Sequence, residues 1–223
     1  MKSASKHGLQ PPQLPKSLPV KTLERLEDQA EYSAFALSDG DLTLQAATGI
    51  VFEQVHFRRT IFVRTHLARV RLADVRFETS DLSGADWEKA RLLRVEMTGC
   101  RLLGVQLLES HLENLLVKEC SLENAVFAAS LFKSVRFEKC NLRSASFEQA
   151  DLTGVVFRQC DLTNADWRGA KLQGADLRGS IIDGLQVGAQ ELRGVIIDPA
   201  QAIQVVSLLG ITVKEIDDQQ LPF

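Results

Sequence analysis

A large apolar residue recurs at every fifth position from Tyr32 to Ile197, without one shift of phase. The series has 34 positions; 33 are large and apolar, and only Ala47 is small. A period of five fits neither a helix face nor an alternating strand, so the chain reads first of all as a repeat. Two residues before each large one, from Ala30 to Val195, Ala, Ser, Thr, Cys or Val fills 27 of the 34 places. The unit is therefore small, polar, large apolar, then two mostly polar residues, as in Ala85-Asp86-Trp87-Glu88-Lys89. Gly often closes it, as at Gly84, Gly104 and Gly154, where a corner turn can call for positive φ.

A second period of twenty is superimposed on the first. The four cysteines, Cys100, Cys120, Cys140 and Cys160, continue a column that holds Thr60, Ser80 and Ser180. The large residues sort the same way, with Phe57, Phe77, Met97, Val117, Phe137 and Phe157 in one column. Residues twenty apart thus share an environment. Four units make one coil, and each unit is one side of a square whose bore admits one small and one large side chain per side. Coils stacked through backbone hydrogen bonds at about 4.8 Å would give a shaft about 40 Å long. Each coil packs only on its neighbours, so both ends need caps.

These units resemble the pentapeptide-repeat family, whose consensus is A(D/N)Lxx; Ala150-Asp151-Leu152-Thr153-Gly154 and Ala175-Asp176-Leu177-Arg178-Gly179 are matching stretches. The resemblance covers about residues 30–198. It implies an all-β fold, the right-handed quadrilateral β-helix, with about eight coils and a C-terminal capping α-helix. Fold alone does not fix function.

The ends divide the chain further. Residues 1–16 read as a mobile, Pro-containing arm, with Pro11, Pro12 and Pro15 favouring an extended backbone. Residues 17–29 read as an N-terminal cap with Leu23 and Leu26 turned inward. After the β-helix of 30–198, residues 199–223 read as a C-terminal module. Asp198 suits the N-cap, Pro199 the first helical position, and Gln201 completes a capping box. The helix would run to about Leu209 and stop at Gly210, with a short strand over Ile211-Thr212-Val213. Its apolar residues exceed what one capping face needs. Ala202, Ile203, Val205, Val206, Leu209, Ile211 and Val213 are therefore candidate dimer contacts, beside the simpler expectation of a monomer cap. The module resembles that of the Qnr-type quinolone-resistance proteins, and this resemblance implies end-to-end dimerisation.

Candidate chemistry is sparse. The cysteines lack any CxxC spacing and read as core, not as metal or redox ligands. His56, His66 and His111 share no column, and His7 lies in the arm, so the sequence implies no metal site and no cofactor. Arg58, Arg59, Arg64, Arg69, Arg71 and Arg76 form a basic band around the early coils. Leu108, Val126 and Ala128 fall on one side in adjacent coils and form a candidate partner patch. A formal charge of −3 argues against general nucleic-acid binding. No apolar run approaches a membrane span, and the polar N-terminus lacks a signal-peptide core, so a cytoplasmic place is expected.

Two functions fit. One is a non-enzymatic, rigid protein–protein interaction scaffold whose partner the sequence does not name. The other, implied by the Qnr-type resemblance, is a DNA mimic that binds DNA gyrase or topoisomerase and confers quinolone resistance. The near-neutral charge and the arginine band weigh against the second.

Overall fold

The computed structural model describes residues 8–214. Met1 to His7 and residues 215–223, which include the start of the arm and the last part of the C-terminal module, lie outside the described residues. The chain winds into a parallel β-solenoid. Its continuous sheet follows chain order: β1 (Glu31–Ser38), β2 (Val51–Arg58), β3 (Arg71–Glu78), β4 (Arg91–Thr98), β5 (His111–Lys118), β6 (Leu131–Glu138) and β7 (Val156–Arg158). Every pairing is parallel with a twenty-residue register, as in Phe57↔Phe77 and Phe137↔Phe157. On the other sides, single bridges such as Asp81↔Arg101 and Asp86↔Gln106 keep that register, which ends at Asp176↔Ile196.

The corners explain the period. From Gln29 to Gly184 every fifth residue has positive φ. Each unit is one short extended stretch closed by one left-handed residue, which turns the chain toward the next side. Glycine was expected at these corners, yet most hold other residues, among them Leu44 at φ 61° and Asp74 at φ 56°. Inter-coil hydrogen bonds such as Arg59 N–H to Glu78 O (2.9 Å) and Lys89 N–H to Leu108 O (2.8 Å) lock the corners in place.

The bore is filled. Both the small and the large inward columns are buried, from Leu26 to Leu185. Aromatic rings twenty residues apart stack at the coil spacing: Phe57 on Phe77 at 4.9 Å, Phe127 on Phe147 at 5.0 Å and Phe137 on Phe157 at 5.1 Å. Trp87 donates its indole N–H to Thr65 Oγ1 at 3.1 Å. The equivalent neighbour of Trp167 is Ala145, which offers no acceptor, and the Trp167 N–H has no partner among the described residues.

A glutamine clamps each end. At the N-terminal end Gln45 accepts from Leu26 N–H (2.6 Å) and donates to Glu24 O (2.7 Å), holding Leu26 in the core. At the C-terminal end the capping box forms as the sequence implies. Asp198 Oδ1 accepts from the amides of Ala200 and Gln201, and Gln201 Oε1 accepts from Asp198 N–H. Gln201 is buried and also donates to Leu177 O and Ser180 O, both at 2.7 Å. Helix α1 spans Gln201–Leu208. It ends on Gly210 at φ 76°, where Gly210 N–H reaches Ser207 O and Ile211 N–H reaches Val206 O, a Schellman pair.

Two expectations need correction. Ile211–Val213 carries no strand pairing, because those residues stand beyond the last coil with no sheet edge beside them. The arm is extended but not free: residues 8–20 lie along the shaft, fixed by side-chain hydrogen bonds and by a parallel bridge from Val20 to Ala36.

The corner argument is testable by thermal unfolding. Leu44 is exposed at a positive-φ corner, so Leu44→Gly is expected to stabilise the fold by about 1 kcal/mol and raise Tm by a few degrees. Gly104 has positive φ and open space around it, so Gly104→Ala is expected to cost about 1 kcal/mol for its backbone conformation alone.

Candidate functional site

With the bore packed, anything this molecule recognises must meet its outer faces or its ends. The four cysteines confirm the point. All are buried and free, and each takes the place that Ser or Thr takes elsewhere in the column. Cys120 Sγ accepts from Cys100 N–H at 3.3 Å, as Ser80 Oγ accepts from Thr60 N–H and Ser180 Oγ from Cys160 N–H, each at 3.1 Å. The small inward residue thus satisfies the amide just after a corner in the coil before it. The neighbouring Cys100 thiol, together with burial, holds the Cys120 thiol far above the ordinary range against the lowering effect of the Cys100 N–H, and Cys140 beside the Cys160 thiol is held up likewise, while Cys100 and Cys160, the other members of the two pairs, are lowered. Cys120 and Cys140 therefore stay protonated, and burial keeps all four thiols from reactants.

The repeat's aspartates are also engaged locally. Asp81, Asp151, Asp161, Asp166 and Asp176 each accept the amide two residues on, at 2.9 to 3.2 Å. That closes a small turn at the start of each side. The Arg168 and Arg178 guanidiniums beside Asp166 and Asp176 hold those carboxyls below the usual carboxylate range, against a partial burial that would raise them. These acids brace the coil.

The arginine band is not one patch. Its six members occupy different columns around the square. Three have rung-to-rung partners: Arg58 pairs with Glu78, Arg59 with Asp39 at 2.6 Å, and Arg76 with Glu96 at 3.0 Å. Only Arg64, Arg69 and Arg71 form no ion pair among the described residues. Leu108, Val126 and Ala128 do come together on one face in adjacent coils, with Leu107 N–H bonded to Val126 O and Glu109 N–H to Ala128 O. All three are half-buried, so they offer little apolar area. His66 meets Asp86 at 3.0 Å, and the described histidines are not brought together.

Two features stand out from the regular surface. At the C-terminal end Ala202, Ile203, Leu209, Ile211 and Val213 point outward; Ile203 is 63%, Ile211 55% and Val213 56% exposed. Val206 is half-buried. Val205, expected in the same group, instead packs with Leu208 on the core, because the inward side of α1 closes the last coil.

The second feature was invisible in the repeat pattern. Along the middle of the β1–β6 face runs a polar column of corner residues, Gln54, Asp74, Arg94, Asn114 and Ser134. Asp74 and Arg94 form a two-pronged ion pair at 2.6 and 2.7 Å, with the Asp74 side chain 7% exposed. The docked arm lies here: Gln13 N–H donates to Asp74 Oδ1 at 2.8 Å, and Gln10 N–H to Asn114 Oδ1 at 3.2 Å. Burial would raise the Asp74 carboxyl, but Arg94 and the Gln13 amide outweigh it and hold it low.

Family models match the repeat. A family model described as a pentapeptide repeat region matches residues 70–147 and 116–187, more than half of the chain. A second, described as pentapeptide repeats (8 copies), matches residues 50–86. No curated protein matches the sequence. Among solved structures, a trypsin-treated form of QnrB1, described as a plasmid-mediated fluoroquinolone resistance protein, is similar at 21% identity, with 88% of this chain and 99% of that chain covered and a TM-score of 0.48. A pentapeptide repeat protein, Rfr23, from the cyanobacterium Cyanothece 51142 matches at 20% identity over 52% of this chain and 63% of that one, with a TM-score of 0.22.

Folded-state carboxyl pKa values below the unfolded value have a definite consequence for acid stability. The stabilisation is fully present above the unfolded pKa, about 4, and is lost as pH falls through the folded value. The unfolding temperature is expected to fall below about pH 4, and Asp176→Asn to flatten that acid limb, as followed by circular dichroism melts across pH.

Proposed function

The chain belongs to the pentapeptide-repeat family, and on that premise we propose that it is a non-enzymatic, rigid scaffold for protein–protein contact that assembles as a two-fold dimer through its C-terminal module. The observation that carries this reading is the apolar group left open beyond the last coil. The shaft buries the large side chains of its inward columns from Phe35 to Leu185 and exposes others singly, as at Leu44, Ile61, Leu131 and Ile181. At the C-terminal end the chain instead turns Ile203, Leu209, Ile211 and Val213 outward, around a helix tightly fixed by Asp198 and Gln201. Apolar area concentrated on a rigid end fits a self-complementary two-fold contact. In a dimer so joined, the outer columns of both shafts become one long set of side chains at fixed rung spacing.

Light scattering on purified protein tests the assembly. The dimer mass is expected for the unaltered chain, and the monomer mass for the double substitution Ile203→Glu, Ile211→Asp. The shaft's melting cooperativity should be unchanged, since neither side chain touches the core. A monomer mass for the unaltered chain at micromolar concentration would refute the dimer.

The gyrase-binding, DNA-mimic reading requires one continuous acidic face. The outward columns here mix signs instead: Asp81, Arg101, Ser121, Asn141 and Asp161 succeed one another on one side, and Arg76, Glu96, Leu116, Arg136 on another. Rung-to-rung ion pairs such as Arg101 with Asp81 and Lys133 with Glu113 neutralise much of the remaining charge. A DNA gyrase supercoiling titration separates the readings. The scaffold reading expects no inhibition and no fluoroquinolone rescue at micromolar protein; either effect would move the assignment to gyrase.

A further inference from the structure

The arm and the column beneath it match in a way the repeat does not require. Asp74 and Asn114 are forty residues apart, two coils along the shaft, or about 9.6 Å at the β-stacking distance. Gln10 and Gln13 are three residues apart, and three residues of polyproline II rise about 9.3 Å. A polyproline II segment therefore advances one full turn for every two coils and returns its amides to the same side. A β-strand would not: residues three apart on a strand face opposite ways. Pro11 and Pro12 fix the backbone φ and carry no N–H, so Gln10 and Gln13 supply the only amides in that stretch. Both are bound, to Asn114 Oδ1 and Asp74 Oδ1. Gln54 Nε2 completes the set by donating to Gln13 O at 3.4 Å.

The receptor side is also built for the purpose. Non-glycine corner residues outside this column, such as Arg59, Lys89, Glu109 and Lys139, are exposed, whereas this column is sheltered. Its two buried members, Asp74 and Asn114, are the two that hold the arm amides. Arg94 lies between them and grips Asp74 with both prongs, which aims the carboxylate, and Oδ1 accepts from Arg94 Nε and from the arm's Gln13 N–H together.

We propose that the Gln54–Asp74–Arg94–Asn114 column is a binding face for polyproline II peptides of the form amide–Pro–Pro–amide, occupied in this chain by its own residues 8–15, and that a partner protein bearing such a proline-rich segment displaces the arm. This deepens the scaffold reading, and rests on it, by naming the chemistry of the partner. The arm acts as a tethered competitor. Its effective concentration is on the order of millimolar, so a free ligand meets an occupied face until the arm is weakened or outcompeted.

The test uses the full chain and a fluorescent synthetic peptide of sequence GLQPPQLPK, read by anisotropy. The double substitution Pro11→Gly, Pro12→Gly loosens the arm and leaves the face intact. It is expected to bind the peptide at least about tenfold tighter than the unaltered chain does. In that background Asn114→Ala should weaken binding about tenfold, which is the loss of one hydrogen bond to a buried acceptor. Asn114→Asp, which keeps an acceptor at the same place, should retain binding, so that loss in the first variant is not a folding effect. The peptide GLQAAQLPK should bind poorly. No binding to the loosened chain, equal binding to both chains, or binding indifferent to Asn114→Ala would overturn the proposal. The light-scattering measurement of the C-terminal face does not depend on this column, so failure of either reading is seen separately.

Discussion

The structure depends on one constraint: a left-handed residue every five positions, held by backbone hydrogen bonds to the coils on either side. A left-handed conformation is uphill for most L-residues, by about 1–2 kcal/mol each. Leu44, Arg59, Asp74, Lys89 and many others accept it nonetheless. They can do so because each coil's amides and carbonyls are satisfied only when its corners align with those of its neighbours, as in Arg59 N–H to Glu78 O and Lys89 N–H to Leu108 O. Strain spread along the shaft is thus offset by a parallel hydrogen-bond array and by a continuous apolar bore.

From that constraint the division of labour between residues follows. The two inward places of each unit carry the stability, and their chemistry is interchangeable where the geometry is kept. Cys120 replaces Ser80 as the acceptor of the amide just after a corner, and Met97 and Val117 interrupt a Phe column without breaking it. The outward places are relieved of structural duty except where an aspartate closes a turn or an ion pair joins two rungs. Exposed pairs of that kind contribute little individually, typically under about 1 kcal/mol. The outer faces are therefore where one solenoid can differ from another, and recognition is expected to be written there and at the ends.

Much of the fold was legible because its rules are local and repeated. The phase of the large residues from Tyr32 to Ile197 gives the bore, the cysteine spacing gives four sides per coil, and Asp198 with Gln201 gives the position and polarity of the final helix. The candidate surfaces fared unevenly for a physical reason. The six arginines of the basic band stand in different columns, because a square solenoid sends successive residues to different faces. Leu108 and Val126 lie in adjacent coils, and packing between rungs leaves them half-buried. Val205 packs on the core although the sequence suggests an outward contact, because a sequence does not show which side of a short helix meets the last coil.

The sequence by itself determined the square β-helix, its length, its phase and the chemistry of its C-terminal cap, since each follows from spacing and turn preferences read a few residues at a time. Only the tertiary structure decided which outward residues matter together. Nothing in a pattern of period five marks Asp74 or Asn114 above any other corner. They become a pair because the arm folds back across the coils and sets Gln13 and Gln10 over them. That contact joins residues 61 and 104 apart in sequence, a relation between two segments that neither encodes alone.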